Sequence, residues 1–166
     1  MKKIITLGLL LTAFLANAQA FSGKGDDKFQ VGANFQDRAT GIMATYDHGI
    51  GENMSIGLYT TYLLDTSNYS NTTFDSKFED RFDVKARFSA NIGNVMGLPE
   101  QVDIYPGLNL GLRNFGGHLG ARYFFTNGFG VFTELNVPIA KYDNDVIGYE
   151  HLNNQFTVSL GASFNL

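Results

Sequence analysis

Apolar residues recur at every second position along most of this chain, and a repeat of two means strands with two unlike faces. The C-terminal segment shows it most clearly. Phe156, Val158, Leu160, Ala162, Phe164 and Leu166 alternate with Gln155, Thr157, Ser159, Gly161, Ser163 and Asn165. The same alternation runs through seven earlier segments, around Phe29–Phe35, Ile42–Tyr46, Ile56–Leu64, Phe82–Ile92, Val102–Leu112, Leu119–Phe125 and Val131–Ile139. Eight strands are therefore expected. Most run roughly 9–13 residues, longer than the usual ~5–6 and long enough for a tilted strand to cross a bilayer.

A soluble sandwich turns its apolar faces inward, whereas a membrane barrel turns them outward to lipid. Three features favour the barrel. The second faces are rich in Gly, Ser, Thr and Asn, where a solvated face carries more Lys and Glu. The apolar faces hold no charge along their central stretches, as expected where a mid-bilayer charge costs about 2–4 kcal/mol. Aromatic residues also gather near strand ends, at Phe29, Phe35, Tyr62, Tyr123, Phe125, Tyr142, Phe156 and Phe164, in the manner of interfacial girdles. The expected fold is an all-β, eight-stranded antiparallel up-and-down transmembrane β-barrel.

Ahead of the strands lies a targeting pattern. Lys2 and Lys3 precede an apolar run from Ile4 to Leu15, and Ala18-Gln19-Ala20 forms a small-x-small site, with Ala16-Asn17-Ala18 as an alternative. This is the form of a secretory signal peptide. The run is too short for a membrane-spanning helix, which needs ~20 apolar residues. The expectation is a cleaved signal over residues 1–20 and a barrel domain over 21–166, in a bacterial outer membrane of Gram-negative type. Cleavage after Ala20 removes two lysines and no acid, so a formal charge of −4 becomes −6. That balance argues against a nucleic-acid partner. The absence of Cys excludes a disulfide framework, a thiol nucleophile or a thiolate metal site.

Connections alternate in character. Residues 49–53, 93–101 and 126–130 are compact and are expected on the periplasmic side with both chain ends. Residues 65–79 and 143–153 are longer and polar and are expected outside the cell, with short connections at 37–40 and 114–116. Parity places Arg122 opposite either Glu134 or Phe132 across the Asn127-Gly128 turn.

The hairpin Gly120-Ala121-Arg122-Tyr123-Phe124-Phe125-Thr126-Asn127-Gly128-Phe129-Gly130-Val131-Phe132-Thr133-Glu134 resembles one that recurs in small outer-membrane barrels, with the pattern G-x-R-Y-F-x-T-x-x-F-G-x-F-x-E. Tyr105-Pro106-Gly107 resembles the strand before it, and Phe164 resembles part of their C-terminal assembly signal, although the last residue is Leu166 and not an aromatic. The chain is similar to the OmpA/OmpX/OmpW-like group, and Phe21 to Gly32 is similar to the start of a poorly characterised subfamily. The resemblance implies barrel fold, outer-membrane location, lipid as surroundings and the barrel-assembly machinery as a partner in biogenesis. It carries no catalytic residues.

By parity, Asp47, Asp83, Lys85, Arg87, Asp103, Arg113, Arg122 and Glu134 face inward, and their charges sum to zero. Unpaired charge in a closed lumen is costly, and eight strands leave an interior that side chains can fill. An ion-pair network that plugs the barrel is expected, with a gated narrow channel for small solutes as the alternative. In the longer loop, Tyr69, Phe74 and Phe78 are candidate contacts for a partner, or else rest on the barrel rim.

Enzyme motifs are weak. Gly161-Ala162-Ser163-Phe164 is a strand fragment, not a nucleophile elbow. His48, His118 and His151 fall on three elements, with His118 the best candidate for a rim enzyme acting on lipid or peptide. Asp143-Asn144-Asp145 begins like a Ca²⁺ loop but has Ile147 and Asn154 where ligands are needed. No enzyme activity and no cofactor are expected. The expected role is structural, with extracellular loops contacting a surface polymer or another outer-membrane protein.

Overall fold

A computed structural model describes residues 18–65, 77–142 and 152–166. The strands are β1 (Asp27–Gln36), β2 (Ala39–Gly49), β3 (Met54–Asp65), β4 (Phe82–Ala90), β5 (Val102–Gly111), β6 (Asn114–Phe124), β7 (Phe129–Lys141) and β8 (Thr157–Asn165), with one helical turn, α1 (Phe78–Arg81), before β4. Each strand pairs antiparallel with the next, and β8 closes on β1 from Lys28 opposite Asn165 to Gln36 opposite Thr157. The result is a closed eight-stranded barrel with no free edge. The start of β1 and the end of β8 share one end, termed here the terminal end; the opposite end is the loop end.

Strand boundaries differ most from expectation at two connections. β6 begins at Asn114 rather than near His118, because Asn114 pairs with Lys141 and Gly116 with Pro138. Gly116 and Gly117 offer no side chain, so the alternation is silent there while the ladder continues. The connection expected at 114–116 is instead Leu112–Arg113, and that expected at 37–40 contracts to Asp37–Arg38, with Arg38 at φ 58°. Tight hairpins demand such left-handed residues.

Polarity is inverted relative to a soluble domain. Ile42, Leu58, Leu110 and Leu160 are 52%, 57%, 60% and 52% exposed, while Gln30, Asn34, Glu134 and Ser159 are fully enclosed. The outer wall carries aromatics at both ends. At the terminal end, Tyr123, Phe125, Phe129, Phe164 and Phe29 form a chain of rings with successive centroids 5.1, 6.1, 5.6 and 6.5 Å apart. At the loop end, Phe78 lies 5.5 Å from Tyr62 and stacks 5.4 Å from Phe82. Below the terminal-end girdle, Asp27 Oδ1 accepts a hydrogen bond from Tyr46 Oη at 2.7 Å and lies 2.7 Å from His48 Nδ1, a polar patch on the outer rim.

The lumen as candidate functional site

Alternation along each strand delivers the polar residues to the interior, and cross-strand register decides which of them meet. At the terminal end, Asp103 and Arg122 stand directly opposite one another and pair at 2.8 Å. Arg122 also donates to Asn91 Oδ1 at 2.6 Å, and Asp103 accepts the Gly93 amide at 3.1 Å. Lys28 pairs with Asp26. The Phe21 ring lies between these cations, 5.9 Å from Lys28 Nζ and 5.8 Å from the Arg122 guanidinium carbon. A cavity of about 60 Å³ beside it, lined in part by Gln19, Phe21, Asn91 and Asp103, has room for a few waters.

At mid-height, Arg87 serves two carboxylates. Its Nη2 donates to Glu134 Oε2 at 2.8 Å and its Nε lies 3.2 Å from Asp47 Oδ1. The Tyr105 ring is flanked by the Arg87 and Arg122 guanidiniums, at 5.7 and 4.7 Å. Both arginines use its face, a favourable cation–π arrangement away from water. Tyr105 has space because Gly120 faces it across the β5–β6 pair. A Cβ at position 120 would lie 2.1 Å from the ring.

From Glu134 a polar chain runs around the wall. Asn136 donates to Glu134 Oε1 at 3.0 Å, and Asn109 donates to Asn136 Oδ1 at 2.7 Å. Asn109 Oδ1 is thereby left to accept from His118 Nδ1 at 2.8 Å, and Ser89 Oγ lies 3.0 Å from His118 Nε2. This order fixes the tautomer: His118 carries its proton on Nδ1, and the Ser89 hydroxyl donates to Nε2. Ser89, His118 and Asn109 thus form a nucleophile–base–orienter line. All three are enclosed, at 1%, 5% and 2% exposure.

Nearer the loop end, Asn34 donates to Tyr59 Oη at 3.0 Å and Ser159 Oγ at 3.1 Å. Lys85 lies 3.5 Å from Asp83 and donates to Asn114 Oδ1 at 3.3 Å. Asn114 in turn donates to the Asn153 carbonyl and to Asn154 Oδ1. Leu152 packs against Ala39 and Leu63. Residues 152–154 therefore cover the loop-end mouth from within, and Ala18 and Ala20 pack with Phe124 at the other.

Seven of the eight charged residues expected in the lumen are enclosed there. Arg113 is not: it is partly exposed at the rim and donates to the Glu79 carbonyl. It sits in the turn after β5, outside the strand that parity assumed. Of the two partners open to Arg122, the register selects Phe132 as the facing residue, and Asp103 on the other neighbouring strand takes the ion pair. The pair Asp26–Lys28 escaped the sequence reading, although Lys28 shares parity with Gln30 and Asn34. With it, the enclosed charged residues described are five acids (Asp26, Asp47, Asp83, Asp103, Glu134) and four bases (Lys28, Lys85, Arg87, Arg122), not the expected balance of zero. Among the described residues, no three His, Cys, Asp or Glu side chains converge as a metal site would need.

Phe78, the one candidate loop contact among the described residues, is part of the loop-end ring cluster on the outer wall. Tyr69, Phe74, His151, the acidic stretch from Asp143 to Asp145 and the apolar run from Ile4 to Leu15 lie outside the described residues.

Residues 11–166 match the model of a family described as "Family of unknown function (DUF6646)". Among solved structures, the chain is similar to one described as "De novo design of transmembrane beta-barrels", a designed protein, with a TM-score of 0.52 at 10% sequence identity, covering 87% of this chain and 98% of that one. At that identity the likeness concerns the fold alone. No curated protein matches.

Proposed function

The chain belongs to this family of unknown function, DUF6646, and we propose that it is an integral barrel of a Gram-negative outer membrane, exported through a cleaved signal peptide, that acts as a non-enzymatic scaffold. The observation that carries the reading is the filled lumen beneath an apolar outer wall. Arg87, held by Glu134 and Asp47, crosses the interior, and residues 152–154 cover the loop-end mouth. Such a barrel has no clear aqueous path, so its work is left to its surfaces. The long polar connections at 65–79 and 143–153 would meet a surface polymer or another outer-membrane protein. The hairpin resemblance described above supports a place near the OmpA/OmpX/OmpW-like group, with the terminal end periplasmic.

The Ser89–His118–Asn109 line belongs to this reading as structure. Its hydroxyl is enclosed, at 1% exposure, away from the lipid or peptide that a rim enzyme would act on.

A narrow channel is the second reading, and one observation favours it. Near the loop end, both side-chain polar atoms of Gln36, both oxygens of Asp83, which lies 3.5 Å from Lys85, and Thr157 Oγ1 make no hydrogen bond among the described residues. Buried polar groups without protein partners call for water. Single-channel recording after verified insertion into planar bilayers separates the two. The scaffold reading expects no discrete conductance; steady unitary currents from the full chain would replace it with the channel.

A further inference from the structure

We propose that signal removal falls between Ala18 and Gln19, and that Gln19-Ala20-Phe21 stay with the mature barrel as the plug of its terminal-end mouth. The proposal rests on the export reading above. The sequence offers two small-x-small sites, ending at Ala18 and at Ala20, and pattern alone does not separate them.

The folded barrel separates them in two ways. First, Ala20 is built into the mouth, and Gln19, itself exposed, is tied to its rim. The Ala20 amide donates to the Glu100 carbonyl at 2.7 Å, and Ala20 is fully enclosed. The Gln19 carbonyl accepts from Asn165 Nδ2 at 3.3 Å, and Gln19 Nε2 donates to the Phe21 carbonyl at 3.0 Å. Cutting after Ala20 discards all of these contacts and leaves the Glu100 carbonyl without its donor.

Second, the charge falls differently. Water adds across the cut peptide bond, leaving a carboxylate on the departing segment and an ammonium on the residue that follows. Cutting after Ala20 places that ammonium on Phe21, whose ring already lies between Lys28 and Arg122. Lys28 and Arg122 are already matched by Asp26 and Asp103, so a third cation at this half-buried position has no carboxylate of its own. Cutting after Ala18 moves the ammonium to Gln19, two residues further from Phe21, and leaves Ala20 an ordinary amide. Ala18 itself packs with Phe124; its departure opens room for water around the new ammonium.

The test is the N-terminus of the mature protein purified from membranes, read by intact mass and N-terminal peptide sequencing. A chain starting at Gln19 is expected. A start at Phe21 overturns the proposal and leaves the export reading intact, whereas a chain retaining Met1 overturns both. The plug is tested separately with Asn91→Cys, since the chain has no other Cys and Asn91 lines the cavity at the mouth. A membrane-impermeant maleimide should label it about tenfold faster when Gln19 and Ala20 are deleted, or in Phe21→Ala, once the local cover is removed. Equal rates in barrels verified as folded would mean that residues 19–21 do not plug the mouth.

Discussion

Arg87 and Glu134 stand on strands that are not neighbours, β4 and β7, yet Arg87 Nη2 lies 2.8 Å from Glu134 Oε2 across the lumen. The pair ties opposite walls together where backbone hydrogen bonds cannot. Arg87→Ala removes the only guanidinium within ion-pair distance of either Glu134 or Asp47 among the described residues. Leaving buried carboxylates unpaired costs about 3–5 kcal/mol, so equilibrium urea unfolding in vesicles should show a loss of that order. Arg87→Met combined with Glu134→Gln and Asp47→Asn should recover much of it, because no charge is then stranded.

The outer wall makes the opposite demand. Leu119 is the middle residue of β6 and is half-exposed. In water, Leu119→Arg at such a site is nearly neutral. In a bilayer it should cost about 2–4 kcal/mol. Unfolding measured in lipid vesicles checks the magnitude, and an unchanged midpoint would contradict an outward lipid-facing wall.

Gly120 leaves the hollow that Tyr105 fills. The Cβ of Gly120→Ala would approach ring atoms to 2.1 Å, and overpacking of this kind costs about 1–3 kcal/mol. The loss should shrink when Tyr105→Ala is present as well, since the clash then has no partner. A double-mutant cycle on unfolding free energy measures that coupling.

Ser89 should stay unlabelled by a fluorophosphonate in the folded barrel, because its hydroxyl is enclosed and the reagent does not reach it, although His118 Nε2 stands 3.0 Å away. Labelling at Ser89, lost in His118→Ala, would revive the enzyme reading.

Much of this architecture is legible in the sequence because strand parity is a one-dimensional signal. Phe156 to Leu166 announces an apolar wall without knowledge of any neighbour, and the inward position of Arg87 or Glu134 follows in the same way. Partnership is a two-dimensional property. Whether Arg122 meets Glu134 or Asp103 depends on the register of two hairpins at once, and parity limits register only to steps of two. The Ser89–His118–Asn109 line was hidden for the same reason, since its members sit on three successive strands, β4, β6 and β5, and only the ladder aligns them. Arg113 differs for another reason: it lies in the turn between β5 and β6, where alternation stops. Gly116 and Gly117 erased the first part of β6 by carrying no side chain at all.

The central claim, a closed barrel with its apolar face outward, is tested most directly by electrophoresis of the full chain folded into detergent micelles. Closed barrels of this polarity hold together in mild detergent until heated, because every backbone group of the sheet is paired. The account predicts that an unboiled sample migrates apart from a boiled one, and that Arg87→Ala lowers the temperature at which the two bands interconvert. Identical migration of both samples, with strand content verified by circular dichroism before loading, would contradict it.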